Sequence, residues 1–346
     1  MHALNSATVK PMSDGKKALR ILGYVLSLAS LVWVLHEFDI VRALHDMSKV
    51  DWRWVLLGMG FDVLSYGIQA LRWKFLLTPF GKVRLSRSIR AVYAGLFANL
   101  TLPLRPGEVL RSYLLSDSEG ITLGRVFGSV GVERLVDLVI ATASLGFVSL
   151  LVDLPRRFNR VADILGAVTL FLVGVVVILI FYLEVKLGRD PDFERNQKGV
   201  SARFMGALTA LHAMGTAPSF YPAVLTSLAT PLCQVFGLWA MMRSYGLELP
   251  FMAAIVVLLV INLGVSLPNA PANLGSYQFF CVLGLSVFQV DKNTAAGFSF
   301  FAFLALTIPF IFLGFAAMLR SGLSLRSMRE EIIRHPNIPR KTTAET

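Results

Sequence analysis

Charge is scarce in this sequence. Asp, Glu, Lys and Arg make up 16% of its 346 residues against 55% hydrophobic ones, a balance too apolar for a soluble domain. The charge present gathers in loops between long apolar runs. A net charge of +11 therefore reads as the basic loops of a helical membrane protein, with no nucleic-acid partner expected. Cysteine is as rare: Cys233 and Cys281 both sit in apolar runs, which excludes a disulfide framework and leaves them as small packing residues. The five histidines, His2, His36, His45, His212 and His335, show no ligand spacing, so neither a metal nor a cofactor is expected. Enzyme signatures are missing too. There is no P-loop, no Gly-x-Ser-x-Gly, no paired-carboxylate motif in a soluble loop and no loop long enough for an ATPase domain. His45 and Asp51 stand one residue too far apart for an acyltransferase His-x4-Asp.

What is present is a series of apolar runs. Residues 1–15 are polar and read as a disordered N-terminus. Lys16, Lys17 and Arg20 precede the run Ile21 to Leu35, and no small-x-small cleavage site follows, so this is expected to be an uncleaved first span with a cytoplasmic N-terminus. Residues 37–52 form a short amphipathic stretch ending at interfacial Trp52 and Trp54. Further spans are expected over 54–77, 124–152, 161–185, 219–242 and 294–319, and residues 204–218 are placed along the interface. Arg72-Trp73-Lys74 reads as an interfacial anchor, and Lys82, Arg84, Arg87 and Arg90 as a cytoplasmic loop. The basic tail 321–346 returns the C-terminus to the same side. Arg156, Arg157 and Arg160 run locally against this orientation.

Two segments interrupt the pattern. Residues 91–116 contain Asn99, Pro103, Arg105, Pro106, Gly107, Glu108 and Arg111 in the middle of apolar sequence. Proline lacks an N–H and clashes with the preceding turn, while glycine frees the backbone, so no helix continues through them. Each arm is shorter than the roughly 20 residues needed to cross. A re-entrant hairpin is therefore expected. Residues 250–290 repeat the design around Asn262, Pro268, Asn269, Pro271, Asn273, Gly275 and Tyr277. Asn99-Leu-Thr-Leu-Pro103 answers to Asn262-Leu-Gly-Val-Ser-Leu-Pro268, and Leu110-Arg-Ser-Tyr113 to Leu274-Gly-Ser-Tyr277. Two breaks can coincide by chance, but the spacing and the Leu-x-Ser-Tyr match favour a repeat, one over about 54–152 and the other over about 219–319. The two hairpins would enter from opposite faces. The expected fold is thus all-α: a single transmembrane domain over 16–320, with about six spans, two broken-helix hairpins and inverted topology, the arrangement that places a transport site between the breaks.

The halves differ in charge. Arg105, Glu108, Arg111, Glu133, Arg134 and Asp137 lie near membrane depth in the first, and none lies between Leu249 and Val290 in the second. Glu108 with Arg111, and Arg134 with Asp137, are three apart and can pair, either as part of a site or as a cluster pinning the hairpin to the next span. Arg105 lies on the break with no partner at i±4, which fits an anionic phosphate held by a planar fork. Glu133 and Asp137 share a helix face, an arrangement that opens the possibility of proton coupling. Asn99 and Asn262 read as caps of the broken ends. Asp62 and Gln69 either line a cavity or hydrogen-bond to a neighbour.

The motif Asn-x-x-x-Pro, Arg-x-Gly-Glu-x-x-Arg, then Glu-Arg-x-x-Asp falls here at Asn99, Pro103, Arg105, Gly107, Glu108, Arg111, Glu133, Arg134 and Asp137. With the later Leu-Pro-Asn-Ala-Pro-Ala-Asn-Leu-Gly-Ser-Tyr-Gln, it resembles the membrane region of lysylphosphatidylglycerol synthases and their stand-alone, flippase-like relatives, over about residues 15–320. The second motif departs from the family's Pro-x-x-Pro-Gly-Gly-x-Gly-x-x-Glu: Pro268 and Pro271 are followed by Ala272, Asn273 and Gln278. The resemblance implies lipid translocation without the aminoacyl-transferase domain. The expected activity is transfer of a lipid with an anionic head group, a phospholipid or a polyprenyl-phosphate-linked or other envelope lipid, in the cell membrane. Arg105 would hold the head group, assisted by Arg111 or Arg134, with lipid-synthesis enzymes as possible partners. An integral membrane enzyme or accessory subunit of lipid or glycan synthesis, using Glu133 and Asp137 as acid and base, is the alternative.

Overall fold

The computed structural model describes residues 14–36, 38–102, 105–151, 156–189, 209–266 and 269–321. The readings of the N-terminus, of the tail beyond 321, and of Pro103 and Pro268 concern residues outside these. Among the described residues every regular element is helical: α1 (Asp14–Leu35), α2 (Ile40–Ser48), α3 (Trp52–Leu77), α4 (Leu85–Thr101), α5 (Gly107–Glu119), α6 (Leu123–Leu151), α7 (Arg156–Arg189), α8 (209–216), α9 (Phe220–Ser244), α10 (Phe251–Val265), α11 (Ser276–Ser286) and α12 (Lys292–Arg320).

Local chemistry fixes the ends. Asp39, Asp51 and Asp291 cap α2, α3 and α12, each accepting hydrogen bonds from backbone N–H groups of the first turn. Helix α5 opens just after Pro106 and closes on Gly120, whose φ of +68° suits a residue without Cβ. Four helices, α3 with its terminal turn, α6, α9 and α12, are long and apolar enough to cross a membrane; α1 and α7 occupy the other two expected spans. Large apolar side chains such as Leu150, Leu170, Phe171 and Phe312 lie more than two-thirds exposed on the outer surface, which is tolerable when the surroundings are lipid. The chain is a multi-pass integral membrane protein.

Helices α3 and α9 pack along each other in opposite directions. The Asp51 N–H donates to the Ser244 carbonyl at 3.1 Å, at the start of one helix and the end of the other. Further along, a Cβ added to Gly58 would stand 2.8 Å from the Gly237 carbonyl, and one on Gly237 3.0 Å from the Gly58 carbonyl. Each helix leads into a hairpin. Arms α4 and α5 run antiparallel, joined at the open end by Glu119, which accepts from the Arg84 N–H at 2.9 Å and pairs with Arg87 at 3.2 Å. Arms α10 and α11 likewise bring Gly284 against Val257 and Gly264 under the Phe280 ring. Because α3 and α9 are antiparallel, the turns that lead from them into the two hairpins lie at opposite ends of the pair. Helix α4 then packs on α12, and α10 on α6.

Both hairpins are locked by local contacts. Asn99 Oδ1 accepts from the Gly107 N–H at 2.7 Å, capping α5 as its position suggested. In the second hairpin Asn269 does this stitching, not Asn262: its Nδ2 donates to the Val265 carbonyl at 3.0 Å and its Oδ1 accepts from Ser276 Oγ at 2.7 Å, while Asn262 lies exposed. Gln278, standing where the family motif has Glu, accepts from the Gly275 N–H at 2.7 Å. Pro271 opens a short 3-10 turn whose Ala272 and Asn273 take left-handed φ values of 57° and 59°. Helix α1 covers this second hairpin, with Ser27 Oγ accepting from the Ala270 N–H at 2.8 Å.

Candidate functional site

The polar side chains of the first half meet in one network. Arg72 on α3 donates to Glu133 Oε1 and to Asp137 Oδ1, each at 2.5 Å, and reaches Ser227 Oγ of α9 at 3.4 Å. Arg111 on α5 pairs with Glu133 Oε2 at 3.0 Å and with Glu108 at 2.5 Å. Arg134 on α6 pairs with Glu108 and lies 3.7 Å from Asp137. Gln69 Nε2 adds a hydrogen bond to Glu133 Oε1 at 2.7 Å. The Arg111 guanidinium sits 4.9 Å over the Trp73 ring, and Trp73 Nε1 donates to Ser129 Oγ at 2.8 Å. Three helices, α3, α5 and α6, are thereby tied through charge and α9 through the Ser227 hydroxyl, with Glu133 at the centre and 0% exposed.

Sequence position misjudged Arg72 and Trp73. They are not an interfacial anchor: Arg72 is 2% exposed and Trp73 fully buried. The missed signal was a polar stripe on α3, with Asp62, Tyr66, Gln69 and Arg72 recurring at helical spacing. Glu108, Arg111, Glu133, Arg134 and Asp137 do come together as expected, and Gln69 hydrogen-bonds to a neighbour. Arg105 has a partner that spacing did not reveal. Its Nη1 donates to the Val265 carbonyl at 2.6 Å, so the tip of the first hairpin touches the end of α10 in the second. Arg105 itself has φ +51°, an unusual backbone for a side chain this large. Asn262 and Asn273 belong to the second hairpin and take no part in the charged network.

Access divides the arginines. Arg72 and Arg111 are buried and each pairs with two carboxylates, although the Nε of each has no hydrogen-bond partner among the described residues; Arg105 and Arg134 are exposed, the latter 54%. Counting the formal charges of Arg72, Arg105, Arg111 and Arg134 against Glu108, Glu133 and Asp137 leaves one positive charge over. Asp62, midway along α3 and half-buried, differs from the other three carboxylates in having no side-chain hydrogen bond or ion pair among the described residues. Among those residues no His, Cys, Asp or Glu group is arranged to hold a metal.

A membrane-crossing helical bundle that holds two broken hairpins, with an ion-pair network buried beside the first, defines an all-α polytopic membrane protein. The chain belongs to the lysylphosphatidylglycerol synthase TM region family, which matches residues 20–314. A UPF0104 membrane protein of Methanothermobacter thermautotrophicus is 24% identical over 288 residues, covering 77% of this chain and 83% of the relative. The UPF0104 membrane protein MJ1595 of Methanocaldococcus jannaschii is 23% identical over 322 residues, covering 87% and 93%. The glycosyltransferase AglD of Haloferax volcanii is 23% identical over 362 aligned residues; the match takes in 94% of this chain but 58% of AglD. No solved structure matches the chain.

Proposed function

We propose that this protein is a lipid translocase, carrying a lipid with an anionic head group between leaflets while its acyl chains stay in the bilayer. The observation that carries the reading is the meeting of two helix breaks, where Arg105 of one hairpin bonds to the Val265 carbonyl of the other. Broken backbone at membrane depth is tolerated where it is buried in protein or lines a wet cavity, and paired breaks in opposed halves are the hallmark of a midplane transport site. The antiparallel packing of α3 and α9, and the matched pairings of α4 with α12 and α10 with α6, support an inverted repeat. In this reading Arg105 and Arg134 meet the phosphate, because they are exposed beside a network with one surplus positive charge. Arg72, Arg111 and Glu133 hold the scaffold. Basic residues at the end where α3 finishes, Lys82, Arg84, Arg87, Arg90 and Arg320, favour placing that end and both termini in the cytoplasm of a cell-membrane protein.

The test is transfer of fluorescent phosphatidylglycerol across vesicles containing the purified protein. A charge-assisted hydrogen bond to phosphate contributes about 1.5–3 kcal/mol, so Arg105→Ala and Arg134→Ala should each slow transfer by about ten- to a hundredfold. Arg134→Ala leaves Glu108 paired with Arg111 and Asp137 with Arg72, and its unfolding midpoint should stay close to that of the parent. Transfer at parental rates in both variants would sink the assignment. The name of AglD motivates a second reading, a part in glycan synthesis. Product formed by the purified protein from a nucleotide-sugar donor and a polyprenyl-phosphate acceptor would establish it.

A further inference from the structure

Four carboxylates lie at depth in the first half of the bundle, and three of them are matched by guanidinium groups: Glu108, Glu133 and Asp137. Asp62 is not. It stands near the middle of α3, where that helix crosses α9 so closely that a Cβ on Gly237 would lie 3.7 Å from Asp62 Cβ and 3.5 Å from its backbone nitrogen. Among the described residues no ion pair or side-chain hydrogen bond reaches Asp62 at that crossing. An ionised, unpaired carboxylate in a low-dielectric interior is costly, and the cheapest relief is to carry a proton.

We infer that Asp62 is a proton-binding site, and that its protonation admits the anionic head group by leaving the nearby arginine network with its surplus positive charge. The inference rests on the translocase reading and supplies its energy source. The surroundings fit a proton and not a metal cation. The ionisable groups near Asp62 are Tyr66 on α3, Tyr93 from α4 and Tyr277 from α11, and Arg105, ahead of α5, and Arg134 of α6 lie close enough to act on Tyr66. Helix α9 carries only Cys233 between Tyr221 and Arg243, and α12 carries no ionisable side chain between Lys292 and Arg320. Tyr93 cannot satisfy Asp62, because its hydroxyl donates to the Val63 carbonyl at 2.9 Å. A single carboxylate with tyrosines around it offers too few oxygens for a metal cation, whereas one proton suffices. Partial exposure leaves a path for water to deliver it. The proton passes from water at one face to an Asp62 oxygen, and returns to water at the other face as the head group leaves; no other bond changes. With Asp62 ionised, the charges of Asp62 and the network cancel, and the anion loses its advantage. Proton and anionic lipid therefore travel together.

Two arms test this and separate it from the function on which it rests. In the first, infrared spectra of the purified protein are recorded against pH and compared with Asp62→Asn. The expected result is a protonated-carboxyl C=O band at neutral pH in the parent, lost at alkaline pH and missing from Asp62→Asn. No such band, or the same band in the variant, overturns the inference. In the second arm, vesicles containing fluorescent phosphatidylglycerol receive a pH gradient or a sodium gradient. For one proton per lipid, each unit of pH difference should raise lipid asymmetry by up to about tenfold. Asp62→Asn should abolish this gradient-driven accumulation yet keep exchange at equal pH, and Asp62→Glu should restore part of it. A response to sodium alone, or full pH-driven accumulation in Asp62→Asn, overturns the coupling. If no lipid moves under any condition the translocase reading falls, while the infrared arm still decides whether Asp62 binds a proton.

Discussion

At the residue scale the structure turns on Arg72. One guanidinium serves Glu133 and Asp137 together, and Glu133 also takes Arg111 and Gln69. Removing one partner from a buried ion pair leaves an uncompensated charge and costs about 3–5 kcal/mol, much more than an exposed pair. Arg72→Gln should therefore lower the unfolding midpoint in detergent sharply, and adding Glu133→Gln should recover part of the loss. A midpoint that did not move would contradict the assignment of Arg72 to the scaffold. A gentler effect is expected at Asp291, which lies outside the spans. Partial burial pushes its carboxyl up, but hydrogen bonds from Thr294 and Asn293 and the Arg42 guanidinium hold it below its ordinary value. A depressed carboxylate stabilises the fold above its unfolded value and loses that contribution as pH falls. Unfolding followed from pH 7 down to about 3 should thus show a small acid loss starting near pH 4 that Asp291→Asn lacks. The carboxylates and arginines of the first motif were legible in sequence because charge at membrane depth is costly. Arg72 was not, since an arginine beside tryptophan and lysine at the end of an apolar run has the composition of a surface anchor; only the alignment of Asp62, Tyr66, Gln69 and Arg72 on one helix face points inward.

At the scale of the elements the hairpins are built on close backbone contact. A Cβ on Gly107 would collide with the Gly95 carbonyl and come within 2.6 Å of Asn99 Oδ1, the atom that caps α5. Gly60, by contrast, has open space around its would-be Cβ. Gly107→Ala should force α4 and α5 apart, break the Asn99 cap and cost about 1–3 kcal/mol, the range for overpacking. Gly60→Ala should be neutral, or stabilising by up to about 1 kcal/mol through helix propensity. Equal midpoints for the two variants would show that the arms do not meet as described. The breaks themselves were readable, because proline and glycine at 103–107 and 268–275 cannot continue a helix. The partner of the second break was not. Alignment set Asn262 opposite Asn99, but the connection between α10 and α11 spans 266–275, longer than the 102–106 of the first hairpin. The extra length carries the bridging role forward to Asn269, and no pattern of residue types records that shift.

At the scale of the whole molecule, everything follows from the direction in which α3 and α9 pass each other. Basic loops assign a face to each end of each span, yet they leave open which spans pack together; that pairing comes from Gly58 against Gly237 and Asp51 against Ser244. From it, the turn after α3 and the turn after α9 must lie at opposite ends of the bundle. The first turn holds exposed Lys82, and the second holds exposed Glu248. In a background with Cys233→Ser and Cys281→Ala, single cysteines at these two positions should react from opposite sides: Glu248→Cys with an impermeant maleimide applied to intact cells, Lys82→Cys only after the membrane is opened. Reaction of both from one side would mean that the hairpins enter together, and Arg105 could then not meet the end of α10 from across the bundle. Opposite labelling has a mechanical consequence as well. In the proposed translocase, the bond from Arg105 to the Val265 carbonyl, which ties the first hairpin to the end of α10, would stand in the way of the head group. A phosphate that competes for the same guanidinium would weaken that contact as it binds, so that the head group helps to open the route it takes.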